Sequence, residues 1–361
     1  KFRRLGGLKD DAPAQRYVAD FPYPDVSVRA LLSHAAPLPD YDAFEALLES
    51  GAPVYTSDLL AMAPLDPPPP DETATFRYCN LCYDALALAI EGASGERYDA
   101  LLRARLFGPL GLRDSFVRPA LFADWPGPRT IGYLKTEHGV VEFDAFDNEG
   151  FHGGSNIYFS ARDLIAWLEA WTAPQPGPLP EAARAAALAP AFIGGLESGL
   201  TLGNWYCADD RARCWYRGHH QGFHSFAYFD RTRRLHVAFV SNNGLPPPLQ
   251  AYLPRALVAI AEGRAPGDAP RADDRRPADA EAAAGLYRAE GFGAIRLTLT
   301  DEGAFASIDG GPRYPLYPVG YGMFYAPGLD AFATPLAHDG ARYARLRWQA
   351  KLADIDAARA D

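Results

Sequence analysis

The chain predicts an α+β protein in two parts: a larger one over 1–265 and a small antiparallel β-barrel over 282–361, joined by a linker at 266–281. Three observations carry this. At 361 residues the chain exceeds one typical domain, so a large unit with a smaller partner is expected. Helical spacing of apolar residues and buried-strand runs fill the first 262 residues, whereas from Glu281 the texture changes to short alternating strands between Gly, Asp and Pro turns. Between them, Gly263 to Ala280 is dense in Pro, Asp, Arg and Ala with almost no large apolar residue, the composition of a linker.

Composition excludes several classes of partner. Apolar residues make up 48% of the chain, enough for a sizeable core. A formal net charge of −10 and the lack of any Lys/Arg run argue against nucleic acid or an anionic membrane as partner. No apolar run approaches the roughly 20 residues of a membrane span, and the first residues carry no signal-peptide apolar region. No cofactor or metal is expected.

In chain order, the stretch from Pro37 to Pro70 is rich in proline and small residues and reads as stiff and extended, delivering Tyr78 to one side of a cleft. A Tyr78-x-Asn80 step then opens a helix whose apolar residues recur at Leu81, Ala85, Leu88 and Ala89. The phenol and the carboxamide therefore sit at a rigid helix entrance and can be aimed at a ligand. Ser160 with Asp163 reads as a helix N-cap, followed by Leu164, Trp167, Leu168 and Trp171 on one face. His152 in the preceding loop reads as a loop residue bonded to backbone.

Aromatic residues on both sides of a polar turn at 208–213 mark a β-hairpin within Asn204–Phe226. Leu235–Gly244 follows as a buried strand ending in a turn, and Leu249 to Glu262 as a helix. Cys207 and Cys214 flank the hairpin turn, so a disulfide between the strands fits, which would imply an oxidising compartment. Cys79 and Cys82 read as buried thiols inside the Tyr-x-Asn helix. A zinc reading of Cys207, Cys214, His219, His220 and His224 lacks any standard ligand spacing. The barrel strands are expected at Ala284–Tyr287, Ala294–Leu299, Phe305–Ile308, Tyr314–Tyr317, Met323–Tyr325, Phe332–Thr334 and Tyr343–Trp348.

Five segments in order resemble the serine β-lactamase and D,D-peptidase superfamily, in the branch that holds class C β-lactamases, D-aminopeptidases and related esterases. They are Leu31-Leu32-Ser33-His34 through Leu38-Pro39-Asp40-Tyr41, then Tyr78-x-Asn80, Ser94-Gly95-Glu96-Arg97-Tyr98, Pro109-Leu110-Gly111-Leu112, and Gly153 through Ala161-Arg162-Asp163-Leu164. The resemblance implies a β-lactamase/transpeptidase-like fold, an antiparallel sheet flanked by helices plus a helical subdomain, and a C-terminal part similar to the lipocalin-like domain of many members. It implies a substrate that is a small molecule or peptide with an amide or ester bond.

The same resemblance implies roles. Tyr78 would relay the proton and Asn80 would hydrogen-bond the substrate amide. The third motif of the family, often His-x-Gly or Lys-Thr-Gly, falls on Tyr216-x-Gly218 in the preferred register and on His220-x-Gly222 in the alternative one. Gly218 would let a substrate oxygen approach the edge strand, where the N–H of His219 stabilises the oxyanion. Tyrosine at 216 replaces the usual cation, which favours neutral esters or amides. His220 and Asn156 would contact substrate.

One departure is serious: no serine in the chain is followed by lysine at the third position, so the nucleophile motif Ser-x-x-Lys is missing. Gly7-Leu8-Lys9-Asp10-Asp11-Ala12-Pro13 resembles the end of the element that carries it, so a missing N-terminal segment is expected. A shortened enzyme, a pseudoenzyme and a partner-supplied helix all fit. Two functions stay open: a serine hydrolase whose nucleophile lies outside this chain, and a non-catalytic protein that keeps the cleft. The resemblance implies a periplasmic or extracellular location, with the cytoplasm left open.

Overall fold

Six strands with alternating aromatic and polar residues build one antiparallel sheet: β1 (Pro190–Ile193), β2 (Leu196–Thr201), β3 (Tyr206–Cys207), β4 (Arg213–His220), β5 (Phe223–Asp230) and β6 (Leu235–Ser241), lying in the order β6-β5-β4-β3-β2-β1. This is a computed structural model, and it describes residues 8–65, 75–136, 138–144, 148–175, 177–270, 278–350 and 353–361. The ladder sets Tyr216 opposite Ala227 and Gly218 opposite Ser225. With a side-chain period of two, Cys214, Tyr216, Gly218 and His220 share the front face, and Trp215, Arg217 and His219 the back.

Helices cover the front face. Helix α4 (Ala161–Thr172) starts at Ser160, whose hydroxyl accepts the Asp163 N–H at 3.1 Å, the expected cap. Its Leu164, Leu168 and Trp171 pack on Cys214, Ala227 and Phe229 of the sheet. A separate helical cluster, built on α1 (Val28–Leu32), α2 (Thr56–Met62) and α3 (Asn80–Ser94), has its own core around Leu31, Leu59, Leu81, Ala85 and Phe151.

The Pro37–Pro70 expectation needs correcting. Tyr41–Phe44, Glu45–Leu48 and α2 are helical, and residues 66–70 lie outside the described residues. The prolines punctuate this stretch at positions 37, 39, 53 and 64, leaving proline-free runs whose Phe44, Leu48, Leu59 and Leu60 are buried on helical spacing.

Behind the sheet lie α5 (Pro247–Ala261) and a second, nine-stranded antiparallel sheet between Gly285 and Arg359. Its last strand, Ala353–Arg359, pairs with its first, Gly285–Ala289. The two edge strands, Tyr314–Pro315 and Tyr317–Pro318, are separated by Leu316 alone. The sheet is therefore a nearly closed barrel. Trp215, Phe226, Tyr228 and Val237 of the first sheet share one core with Val258 of α5 and with Tyr287, Ile295 and Trp348 of the barrel. The strand Ala353–Arg359 was not expected from the sequence. Its inward positions alternate through small or single residues such as Ala357, which periodicity reads poorly.

Candidate active site

Helix α3 begins at Asn80, with Cys79 as its N-cap in extended conformation, so Tyr78 and Asn80 stand at the helix mouth as the sequence indicates. Cys79 and Cys82 are joined by a disulfide, which corrects the reading of two buried thiols inside the helix. The reason is the cap conformation. An extended Cys79 lies outside the helix and can turn its sulfur onto the first turn, where two cysteines both inside the helix would sit too far apart at Cβ. Cys207 and Cys214 are also bonded, across paired positions of β3 and β4. The zinc reading thereby loses its two thiolates, and among the described residues no group of three His, Cys, Asp or Glu is arranged to hold a metal ion.

The phenol oxygens of Tyr78 and Tyr216 meet at 2.7 Å, bridging the mouth of α3 and the front face of β4. This contact brings the glycine-bearing strand to Tyr78 in the Tyr216-x-Gly218 register. Behind the pair runs a chain of hydrogen bonds. Asn204 Nδ2 donates to Tyr216 Oη at 3.0 Å, Asn204 Oδ1 meets His34 Nε2 at 3.1 Å, and His34 Nδ1 accepts the Cys79 N–H at 3.2 Å. His34 is 2% exposed and stacks on the Tyr78 ring at 4.7 Å. Burial pulls its imidazole down to about 4, so it is neutral near pH 7. Burial pushes both phenols above their ordinary range, Tyr78 further with Tyr216 adding to it.

Asn80 is held by Asp40. The Asn80 backbone N–H donates to Asp40 Oδ1 at 2.9 Å and Asn80 Nδ2 donates to Asp40 Oδ2 at 3.0 Å. With one N–H of its NH₂ held by a carboxylate, Asn80 keeps Oδ1 to meet a donor and a second N–H to meet an acceptor. Burial raises Asp40 to about 6, against the Asn80 bonds that lower it. One turn into α3, the fully buried Asp84 accepts from Tyr41 Oη at 2.6 Å and from the Gly154 N–H at 2.8 Å. Gly154 must approach closely here: a Cβ on it would lie 2.6 Å from the Asn80 carbonyl oxygen.

The backbone of β4 offers the edge that an oxyanion needs. The Arg213 carbonyl accepts the Ala208 N–H on the β3 side. By the two-residue repeat the N–H of His219 points to that same side. There β3 pairs only with Cys214 and Trp215, and among the described residues no strand covers β4 further on. The imidazole of His219 lies on the back face, stacked on His224 at 4.4 Å.

His220 and Asn156 gather elsewhere, around Glu149. Its Oε2 accepts from Asn156 Nδ2 at 3.1 Å and Arg118 Nη1 at 3.3 Å, and His220 Nε2 stands 3.4 Å away without a hydrogen bond. Burial pushes the Glu149 carboxyl up, but His220, Asn156 and Arg118 outweigh it and hold it below its ordinary range. The Asn156 side chain is buried and also donates to the Phe151 carbonyl, while His220 remains 28% exposed at the rim. His152 stacks on Tyr98.

Sequence reading passed over His34, Asp40 and Asn204 as site residues although all three lie in quoted segments. Asp84 carried a signal, an acid bordering the apolar stripe of α3; Glu149 and Arg118 carried none. A cavity of about 210 Å³ lies on the back face behind Gly218 and His219, walled mainly by apolar side chains of α5 and the barrel. Tyr216 lies on the other face of β4, where it meets Tyr78, and neither phenol lines this cavity.

A family model described as Beta-lactamase matches residues 4–262. Penicillin-binding protein 4* of Bacillus subtilis (strain 168) is 32% identical over 117 residues, 31% of this chain and 26% of that protein, so the match spans about a quarter of the relative's length. Among solved structures, the octameric penicillin-binding protein homologue from Pyrococcus abyssi superposes with a TM-score of 0.56 at 17% identity, covering 97% of this chain and 83% of that one. A D-stereospecific amidohydrolase from Streptomyces sp. gives 0.53 at 20% identity, covering 65% and 75%. At these identities the structural likeness speaks for the fold.

Proposed function

The chain belongs to the beta-lactamase family, a family of serine hydrolases, and we propose that its cleft serves an enzyme that cleaves amide or ester bonds through an acyl-enzyme. The observation that carries this is the 2.7 Å contact between Tyr78 and Tyr216, which joins the helix mouth to the glycine strand. Tyr78 relays the proton. Asn80 Oδ1 accepts the substrate N–H, its amide fixed by Asp40. The N–H of His219, beside Gly218 with no side chain of its own, donates to the oxyanion. Tyr216 presents a neutral hydroxyl where a cation would hold a carboxylate, so neutral substrates are preferred. His220, held near Glu149, is left partly exposed to meet substrate.

The nucleophile is not among these residues, because the chain carries no Ser-x-x-Lys. The 361-residue chain is therefore expected to form no acyl adduct. The second reading is a non-catalytic binding protein that retains the cleft. We assign residues 1–265 to the hydrolase unit, 266–281 to the linker and 282–361 to a lipocalin-like barrel. Two disulfides support a periplasmic or extracellular location.

The test pairs a read of the coding sequence upstream of Lys1 with acylation. A Ser-x-x-Lys about twenty residues upstream, and an acyl adduct by mass spectrometry when that longer chain meets a neutral chromogenic ester, support the enzyme. An upstream sequence without the motif, or a longer chain that binds the ester and is never acylated, supports the binder. A covalent burst from the 361-residue chain with that ester or nitrocefin would overturn its assignment as nucleophile-free.

A further inference from the structure

We propose that His34 and Asn204 are positioning residues that set the direction of the hydrogen bond between the two phenols, making Tyr216 the donor and leaving the proton of Tyr78 turned to the substrate.

The direction follows from one fixed end. The Cys79 backbone N–H can only donate, so His34 Nδ1 accepts. A neutral imidazole then carries its proton on Nε2 and donates it to Asn204 Oδ1. That bond settles which way the Asn204 amide lies, and its Nδ2 donates to the Tyr216 oxygen. A phenol oxygen that accepts a hydrogen bond becomes the stronger donor through its own O–H, because the accepted bond stabilises the negative charge left behind. Tyr216 receives this bond from Asn204, and Tyr78 stands 2.7 Å away to take the proton it offers. The other ionisable groups acting on Tyr216, Asp330 and Asp40, are both carboxyls that oppose a phenolate. The Tyr78 hydroxyl and, behind it, the neutral Asn204 amide work against them.

The consequence rests on the hydrolase reading above. When the leaving group departs, the Tyr78 O–H bond breaks and its proton passes to the leaving oxygen or nitrogen. The Tyr216 proton moves onto the Tyr78 oxygen, and the negative charge rests on Tyr216, held by the Asn204 N–H, until the proton released by the attacking nucleophile hydroxyl returns to the pair through Tyr78. In deacylation the attacking water gives its proton to the pair through Tyr78, and Tyr78 passes one to the departing nucleophile oxygen. The pair ends as it began. A neutral chain thus does the work of steadying charge at the position where the family pattern has a cation.

The experiment reads the phenols and does not depend on hydrolysis. 3,5-Difluorotyrosine, which ionises within the range where the protein stays folded, is placed at 216 or at 78 and titrated by absorbance. The residue at 216 is expected to ionise at lower pH than the one at 78. Asn204→Gly, which suits the left-handed backbone at φ 59, is expected to raise the value at 216 by about one unit, a tenfold change, with little effect at 78. His34→Asn, also tolerant of positive φ, is expected to shift 216 in the same direction. The proposal is overturned if 78 ionises first, or if Asn204→Gly leaves 216 unmoved while circular dichroism shows the fold intact. Loss of acylation in the longer chain, with this ionisation order kept, counts against the hydrolase reading alone.

Discussion

Arg217 of β4 is ion-paired with Asp330 of the barrel, Nε to Oδ1 at 2.7 Å, with the carboxylate only 1% exposed. The Trp215 indole N–H donates to the same carboxylate at 2.8 Å, and the Arg217 guanidinium also donates to the Gln250 carbonyl of α5. The strand that presents Tyr216 and Gly218 forward is therefore gripped from behind by two other parts of the chain. Removing one partner leaves a buried charge without its counterpart, so Asp330→Ala should cost roughly 3–5 kcal/mol. The double variant Arg217→Met, Asp330→Leu should cost less. Urea unfolding of the three proteins checks this, and equal losses in the single and double variants would contradict it.

Both disulfides make a direct chemical prediction. Alkylation of the native or denatured but unreduced protein should label no cysteine, and alkylation after reduction should label all four. Labels mapped to Cys79 and Cys82 before reduction would return that pair to the status of thiols. Cys207→Ala with Cys214→Ala opens a loop of sequence separation 7 and should lower stability by roughly 2–3 kcal/mol in the loop-entropy picture.

Asp84 predicts a pH dependence of stability. Burial raises its carboxyl from 3.8 to about 7, against the Tyr41 and Gly154 bonds that lower it. A folded-state value above the unfolded one means that its stabilising contribution is complete below pH 3.8 and is lost as pH rises through about 7. Asp84→Asn should remove that slope, whatever it does to absolute stability. Between pH 5 and 8 the parent protein should lose roughly 2–3 kcal/mol more than the variant, read from denaturant midpoints. His34 works the other way: its depressed value gives a contribution present above pH 6.5 and lost as pH falls toward about 4.

Two glycines contrast in a single test. A Cβ at Gly92 of α3 would lie 1.9 Å from the Tyr17 carbonyl oxygen, a backbone atom that cannot turn aside, and Gly92→Ala should cost about 2–3 kcal/mol. A Cβ at Gly218 would meet the Ser225 hydroxyl at 2.4 Å, the free end of a side chain that can rotate. Gly218→Ala should therefore fold with a cost under about 1 kcal/mol, while crowding the approach to the His219 N–H. Thermal unfolding separates the two, and a larger loss in Gly218→Ala would contradict the assignment.

How far the residues alone could be read varies along the chain. The helix mouth at Tyr78 and Asn80, the cap at Ser160 and the hairpin around 208–213 are local objects, each defined by spacing within a dozen residues. They were legible for that reason. The helices between Pro37 and Pro70 were misread because proline count hid the runs between the prolines. The Cys79–Cys82 bond was missed because its geometry depends on one cap residue leaving the helix.

Local pattern and order along the chain determined the family, the two-part architecture and the residues at the helix mouth, since periodicity, capping and motif order are properties of neighbours. Tertiary structure alone decided that Tyr216 meets Tyr78, that Glu149 collects His220, Asn156 and Arg118, and that His34 reaches Asn204 across 170 positions of sequence. The physical reason is that a hydrogen bond between distant residues requires only that their elements pack at the right distance and angle. Packing of a helical cluster against a sheet is set by whole faces of side chains and leaves no mark at the two residues it joins.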